Sequence, residues 1–215
     1  MIQHHPSPEI LIQYAGGALH AGAMLVVACH IETCTVCRSE VSLWESMGGA
    51  LLEKTALETL SDGALERMMA QLDAVEPVAP GSPMPDFLKR FDLPAPLKGH
   101  KIGRRRRVTP NIWFAPVEMP GEGWPRTYLV YANRNTMLAE HTHVGREFTH
   151  VITGAFTDNG GRYDQGDFAC TDEAVTHTPG VTQDAECLCL ISADAPMRLT
   201  GLPARIIQSL TGTLY

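Results

Sequence analysis

The chain has 215 residues, of which 44% are hydrophobic and 19% charged, a balance typical of a globular protein with at least one buried core. Its net charge of −7 lies entirely in the first third: residues 1–78 hold three basic and ten acidic side chains, whereas residues 79–215 hold fourteen of each sign. The acidic N-terminal part argues against direct binding to nucleic acid, because phosphate repels it, and suits a basic protein partner.

The N-terminal segment MIQHHPSPE lacks the basic region and apolar run of a secretory signal, and no apolar stretch reaches the length of a membrane span. We therefore expect a cytoplasmic protein with no membrane partner. In that compartment the six cysteines indicate metal ligands or redox thiols rather than a disulfide framework.

Four helices are predicted from residue 7 onward. Ser7 as the cap and Pro8 at the first helical position start the first helix. The second, residues 21–32, is apolar nearly all round, so it is expected either to be buried or to face a partner. The third covers residues 37–55 and the fourth residues 61–75.

Proline-rich sequence follows, and then the periodicity changes. Short segments rich in β-branched and aromatic residues, separated by Gly, Asn and Asp, indicate antiparallel strands within residues 126–135, 145–158, 160–171 and 185–194. The predicted fold class is multi-domain α plus β. A small helical zinc-binding bundle (1–78) and a proline-rich linker (79–97) precede an antiparallel β-barrel (98–215).

Three metal-capable side chains lie within eight positions of the helical part. His30 precedes Cys34 by about one helical turn, and Cys37 follows two residues further on, so the three are expected to converge at the corner between helices 2 and 3. Zinc prefers four Cys and His ligands. The remaining histidines of this half are the candidates for the fourth: His4 or His5 before helix 1 and, less favourably, His20.

A second group of metal-capable residues lies in the predicted strands. His141, His143 and Glu147 share odd positions and can face one interior, and His177 follows later. His150 has even parity and is expected to face away. Core positions are expected for the remaining cysteines, which are Cys29, Cys170, Cys187 and Cys189, with redox-sensitive thiols as the alternative for the last two. The basic run 104–107 is interpreted as a solvated surface.

The paired histidines before helix 1 and the motif CHIETCTVCR resemble the zinc-binding anti-sigma module, and the surrounding sequence resembles the ChrR-type anti-sigma factors. The resemblance implies that His5 is the fourth zinc ligand beside His30, Cys34 and Cys37. It also implies that the helical module binds an extracytoplasmic-function sigma factor in a 1:1 complex and blocks its access to RNA polymerase. Helix 2 and the Met68/Met69 pair are candidate contact surfaces.

The spacing His-x-His, x3, Glu, x6, Gly154 resembles the first cupin motif, and Gly166 to His177 resembles the second, except that TDEAV replaces its usual Pro-x-Gly turn. The resemblance implies Zn²⁺ or another divalent metal in the barrel, and a sensor of singlet oxygen or organic peroxide. The alternative is a metal-dependent cupin enzyme of the mononuclear dioxygenase or hydrolase type. No separate acid, base or nucleophile accompanies the site, which favours a regulator. A nucleic-acid-binding zinc module is disfavoured by the acidic charge.

Overall fold

The computed structural model describes residues 1–73, 83–120 and 127–200. The end of the predicted fourth helix, residues 79–82 of the predicted linker and residues 121–126 and 201–215 of the predicted barrel lie outside it, and so does the first residue of the strand predicted at 126–135. Four helices form the N-terminal part: α1 (Pro8–Ala15), α2 (Ala21–Thr33), α3 (Thr35–Leu52) and α4 (Ala64–Asp73). The hydroxyl of Ser7 accepts a hydrogen bond from the amide of Ile10, so it caps α1 as the sequence predicts.

Helices α2 and α3 are separated by Cys34 alone and meet at a bend of 119°. Within the described residues no single helix has the length and apolar character to cross a membrane. Taken together, the two helices of this bent pair have the length and composition of a membrane span.

A short 3-10 helix (Asp86–Leu88) and α5 (Ala95–Lys98) lead into the strands, of which the described residues form twelve. In chain order these are β1 (Arg106–Thr109), β2 (Ile112–Pro116), β3 (Thr127–Ala132), β4 (His141–Thr142), β5 (Glu147–Thr153), β6 (Ala155–Asp158), β7 (Gly161–Asp164), β8 (Phe168–Thr171), β9 (Thr176–His177), β10 (Gly180–Val181), β11 (Cys187–Ala193) and β12 (Arg198–Leu199).

The strands form three antiparallel sheets. The largest has the order β1-β2-β3-β11-β5-β8, and the smaller ones have the orders β10-β6-β7 and β12-β4-β9. The register between β11 and β5 shifts once, since Leu188 pairs with Thr153 whereas Cys189 pairs with Val151, which leaves Ile152 in a bulge. This arrangement confirms the predicted class of an N-terminal helical part and a C-terminal antiparallel cupin-like part.

The six-stranded sheet is covered on both faces along its central strands, so nearly every residue of β5 and β11 is buried. Its inner face belongs to a cluster that includes Val151, Cys187 and Cys189. Its outer face packs on α2, through residues such as Phe148 and Leu188. Helix α2 is therefore buried against the barrel, which is the first of the two alternatives that its sequence left open, and it does not supply partner-contact surface.

Residues 83–97 also join this outer core. Leu88 and Leu97 are fully buried and Leu93 nearly so. The guanidinium of Arg90 donates to both carboxylate oxygens of Glu186 at 2.7 and 3.1 Å. The described part of the predicted linker is thus packed along the sheet rather than held in solvent, while the domain limits at residues 78 and 97 stay a prediction.

Candidate metal centres

The structure brings four side chains of the helical part together: His5, His30, Cys34 and Cys37. His30 lies in the last turn of α2, Cys34 occupies the break between the helices, and Cys37 lies in the first turn of α3. The Nδ1 atom of His5 is 3.3 Å from the sulfur atoms of both cysteines, and Nε2 of His30 is 3.3 Å from Sγ of Cys37.

The contacts of His30 leave its second ring nitrogen available to bind a cation. Burial lowers the pKa of His30 to about 4, so its ring is neutral, and Nδ1 donates to the carbonyl of Gly166 at 2.9 Å. Its Nε2 lone pair is therefore directed at Cys37, whose pKa burial and the adjacent Cys34 raise to about 12. A soft divalent ion would accept the imidazole lone pairs and stabilise the thiolates, which is the chemistry of a Cys2His2 zinc site.

The other two N-terminal histidines do not join this cluster. His4 points to the barrel, where its Nε2 is 3.0 Å from the carbonyl oxygen of Arg162 and its ring contacts that of Tyr163. His20 caps α2, since its Nδ1 accepts a hydrogen bond from the amide of Ala23 at 3.3 Å. Of the candidates from the sequence, His5 alone reaches the two cysteines and His30.

A second cluster lies inside the barrel and consists of His141, His143 and His177. Nε2 of His177 is 2.9 Å from Nε2 of both other histidines, and all three side chains are buried. The register explains this convergence, because β4 and β9 pair His141 directly with His177.

Hydrogen bonds to neighbouring residues determine which ring nitrogen carries the hydrogen in His141 and in His177. Nδ1 of His141 donates to the carbonyl of Ala139 at 2.8 Å, and Nδ1 of His177 donates to the carboxylate of Asp158 at 2.5 Å. In the neutral tautomers their Nε2 lone pairs face each other at 2.9 Å, which is repulsive unless a cation lies between them. The three histidines therefore suit a divalent metal with open coordination positions.

Glu147 lies beside this cluster rather than among its converging atoms. Its Oε2 is 3.5 Å from Nδ1 of His143, and burial raises the pKa of the carboxyl group to about 7. The role of Glu147 as a fourth ligand stays a prediction. The cluster opens into a pocket lined mainly by apolar side chains, which also holds Cys187 and Cys189, with sulfur atoms 3.6 Å apart.

Comparisons with known proteins agree with both halves of the fold. Residues 106–195 match the family described as the ChrR cupin-like domain. Over 216 residues, 96% of this chain and 97% of the relative, the chain is 34% identical to the anti-sigma-E factor ChrR of Cereibacter sphaeroides. This chain belongs to the ChrR family of anti-sigma factors. A crystal structure of Rhodobacter sphaeroides SigE in complex with the anti-sigma ChrR matches 90% of this chain and 100% of that chain, with TM-score 0.73 and 32% identity.

Membership of the ChrR family confirms the resemblance seen in the sequence and identifies the chain as a regulator rather than an enzyme. The alternative of a cupin dioxygenase or hydrolase is thereby set aside.

Two features of this ChrR-family chain were not predicted from the sequence. Asp158 is predicted only as the last residue of a strand segment, yet its carboxylate orients His177 from the end of β6. Cys170, expected in the core, is exposed, although it lies on the same face of β8 as the buried Phe168. Cys29, Cys187 and Cys189 are buried as predicted. His150 faces α2, with its ring 6.0 Å from that of His30, and so points away from the barrel cluster as expected.

Proposed function

We propose that this chain binds an extracytoplasmic-function sigma factor in a 1:1 complex through its helical part and so keeps it from RNA polymerase. The family and the relative whose crystal structure holds SigE support this function. Since the proposed partner works with RNA polymerase, we also place the protein in the cytoplasm. Its contact with transcription is through protein alone, without direct binding to nucleic acid or membrane.

The observation that carries the proposal is an apolar helical surface on α3, α4 and the segment between them. Among the described residues fifteen large hydrophobic side chains are exposed, and ten of these lie within residues 43–72. They are Leu43, Met47, Leu51, Leu52, Leu57, Leu60, Leu65, Met68, Met69 and Leu72. A concentration of this kind marks a protein interface, and methionines make such a surface adaptable.

Charge supports the same partner class. Residues 1–78 carry ten acidic and three basic side chains, whereas the rest of the chain is balanced. A sigma factor presents basic surfaces for DNA, so an acidic module would favour encounter and orientation. The apolar helical surface would then supply the buried contact.

We further propose that Zn²⁺ is held by His5, His30, Cys34 and Cys37. With all four positions supplied by protein the ion would be structural, pinning the segment before α1 to the corner of α2 and α3. A second ion, Zn²⁺ or another divalent metal, is proposed at His141, His143 and His177, with Glu147 as the remaining ligand.

The barrel is proposed as the sensor of oxidative stress, with singlet oxygen or organic peroxide as the signal implied by the family resemblance. Support comes from the pocket, which buried thiols line together with two of the histidines. Release requires that the signal bind to or modify the free state of the helical part more favourably than the bound state. Exposure of the preformed complex to an organic peroxide should free the sigma factor, and unchanged binding would contradict the sensor role.

The binding proposal is tested with an extracytoplasmic-function sigma factor from the same organism. The unaltered proteins should coelute as a 1:1 complex in size-exclusion chromatography and give a tight isotherm in titration calorimetry. The double variant Leu51→Asp/Leu65→Asp should weaken binding at least tenfold, because two charges would be desolvated in the interface. Val108→Asp, at an exposed apolar position on the barrel, is the matched control. Failure of the unaltered protein to bind would refute the proposed function. An equal loss of affinity in both variants would refute the assignment of the apolar helical surface as the binding site.

A further inference from the structure

One turn of the barrel, between β7 and β8, contacts the helical metal cluster directly. Asp167 in this turn is 1% exposed, although it is a carboxylate. Its Oδ1 accepts hydrogen bonds from the backbone amides of Gln3 at 2.8 Å and His4 at 3.1 Å, and its Oδ2 accepts one from the amide of Asp164 at 2.9 Å. A buried carboxylate with three amide donors holds the N-terminal segment on the barrel.

Two further contacts fix the same segment. The amide of Phe168 donates to the carbonyl of His4 at 3.0 Å, which extends the pairing of β8 to residues before α1. Ile2 packs on Gly166, so closely that a Cβ atom at Gly166 would lie 2.9 Å from the Ile2 side chain. The residue that follows these contacts is His5, whose ring enters the cluster with Cys34 and Cys37.

The turn also contacts the cluster from the side of α2. The carbonyl of Gly166 accepts the Nδ1 hydrogen of His30 at 2.9 Å, which keeps the lone pair of Nε2 directed at Cys37. Partners of this kind, outside the ligands themselves, orient a metal-binding histidine and set its tautomer. Both histidines of the cluster therefore depend on consecutive residues of the barrel.

The turn is itself anchored to the central sheet. The amide of Gly166 donates to the carbonyl of Val151 at 2.9 Å, and the amide of Val151 donates to the carbonyl of Asp167 at 3.0 Å. Val151 belongs to β5, which begins at Glu147 beside the histidines of the barrel. A displacement of β5 would thus move the carbonyl that holds His30 and the carboxylate that holds the segment preceding His5.

We propose that Gly166 and Asp167 are positioning residues of the helical metal site, so that the barrel sets how tightly this site holds its ion. The inference rests on the metal binding proposed above for His5, His30, Cys34 and Cys37. It makes this site a joint product of the two halves of the chain, and it gives the barrel a route to the helices that does not pass through residues 74–97.

Co²⁺ bound to the full-length protein tests this, because the thiolate-to-cobalt charge-transfer band reports a site that contains cysteine. Loss of the band in Cys34→Ser assigns it to the helical cluster rather than to Cys187 and Cys189. Both carboxylate oxygens of Asp167 accept backbone N–H groups. In Asp167→Asn the side-chain NH2 group takes the place of one of them, and it cannot accept a hydrogen bond from the N–H that faces it. We expect Co²⁺ and Zn²⁺ affinities in chelator competition to fall by about 10- to 100-fold, with a shifted band.

Asp92→Asn is the matched control, since Asp92 is fully exposed and the substitution removes the same charge. Ile2→Ser is the second variant, which disturbs the N-terminal segment without altering any residue of the barrel and should weaken Co²⁺ binding less than Asp167→Asn does. If circular dichroism shows that Asp167→Asn does not fold, the affinity of Ile2→Ser for Co²⁺ is compared with that of the unaltered protein. A weaker affinity supports the inference, and an unchanged affinity contradicts it. A missing band in the unaltered protein would overturn the proposed metal site and this inference together. A normal band with unchanged affinity in the folded variants would overturn this inference alone.

Discussion

The carboxylate of Asp158 lies 2.5 Å from Nδ1 of His177, and both side chains are almost completely buried. The interaction fixes the imidazole as the tautomer whose Nε2 faces His141 and His143. Without the carboxylate, the ring would be free to turn or to carry its hydrogen on the ligating nitrogen.

We therefore expect Asp158→Asn to weaken metal binding in the barrel by about 10- to 100-fold. Competition with a chelator measures the affinity, in a Cys34→Ser background so that only the barrel cluster contributes. Asp172→Asn, at an exposed aspartate of the same barrel, is the control. Equal affinities in the two variants would show that Asp158 does not orient the ligand.

The choice between His4 and His5 gives a second prediction. His5→Ala should abolish tight metal binding at the helical cluster and lower the melting temperature, because His5 contacts both cysteines. His4→Ala should retain the metal, because it loses only its contacts with Arg162 and Tyr163. Metal content after dialysis and the thiolate-to-cobalt band distinguish the two variants. The reverse pattern would assign the fourth ligand to His4.

The packing of residues 83–97 gives a third prediction. Leu97 is completely buried between α2 and the sheet, so Leu97→Ala should lower the free energy of unfolding by about 2–5 kcal/mol. Lys98→Ala, next to it with an exposed side chain, should change it by less than about 0.5 kcal/mol. Urea unfolding measures both values. Similar small effects would mean that this segment behaves in solution as an exposed tether.

The turn between β5 and β6 gives a fourth prediction. Gly154 has φ +76°, and a Cβ atom there would collide with the backbone carbonyl of Glu186. Gly154→Ala should therefore destabilise the barrel strongly. Gly48→Ala should instead stabilise the protein by about 0.5–1 kcal/mol, since Gly48 lies inside α3 with open space around it. Thermal unfolding checks both, and a neutral Gly154→Ala would contradict the described turn.

Local patterns in the sequence predicted the elements that depend on neighbouring residues. Ser7 and Pro8 start α1 because capping needs only the first turn. The spacing of His30, Cys34 and Cys37 predicted their convergence because one helical turn and one helix break determine it. The alternation along β5 likewise predicted that His150 faces away from Glu147, since side chains in a strand alternate.

Features that depend on distant residues could not be predicted in this way. Helix α2 is apolar all round, and only the packing of the sheet shows that the barrel covers it. The residues alone did not decide whether His4 or His5 is the fourth ligand, and the family resemblance pointed to His5. The pairing of His4 with Phe168 is what turns its side chain toward the barrel. Asp158 was missed because its partner lies 19 positions further on, across a contact between sheets that no local pattern records.

A single strand, β5, separates the two candidate metal centres. Glu147 and Thr149 line the pocket, whereas Phe148 and His150 face α2. Inserting one residue between Glu147 and His150 would invert one end of the strand and disrupt one centre or the other, whereas inserting two would keep the faces. The spacing of these residues is therefore under two demands at once, so natural length variation among relatives should fall in the loops and spare this strand.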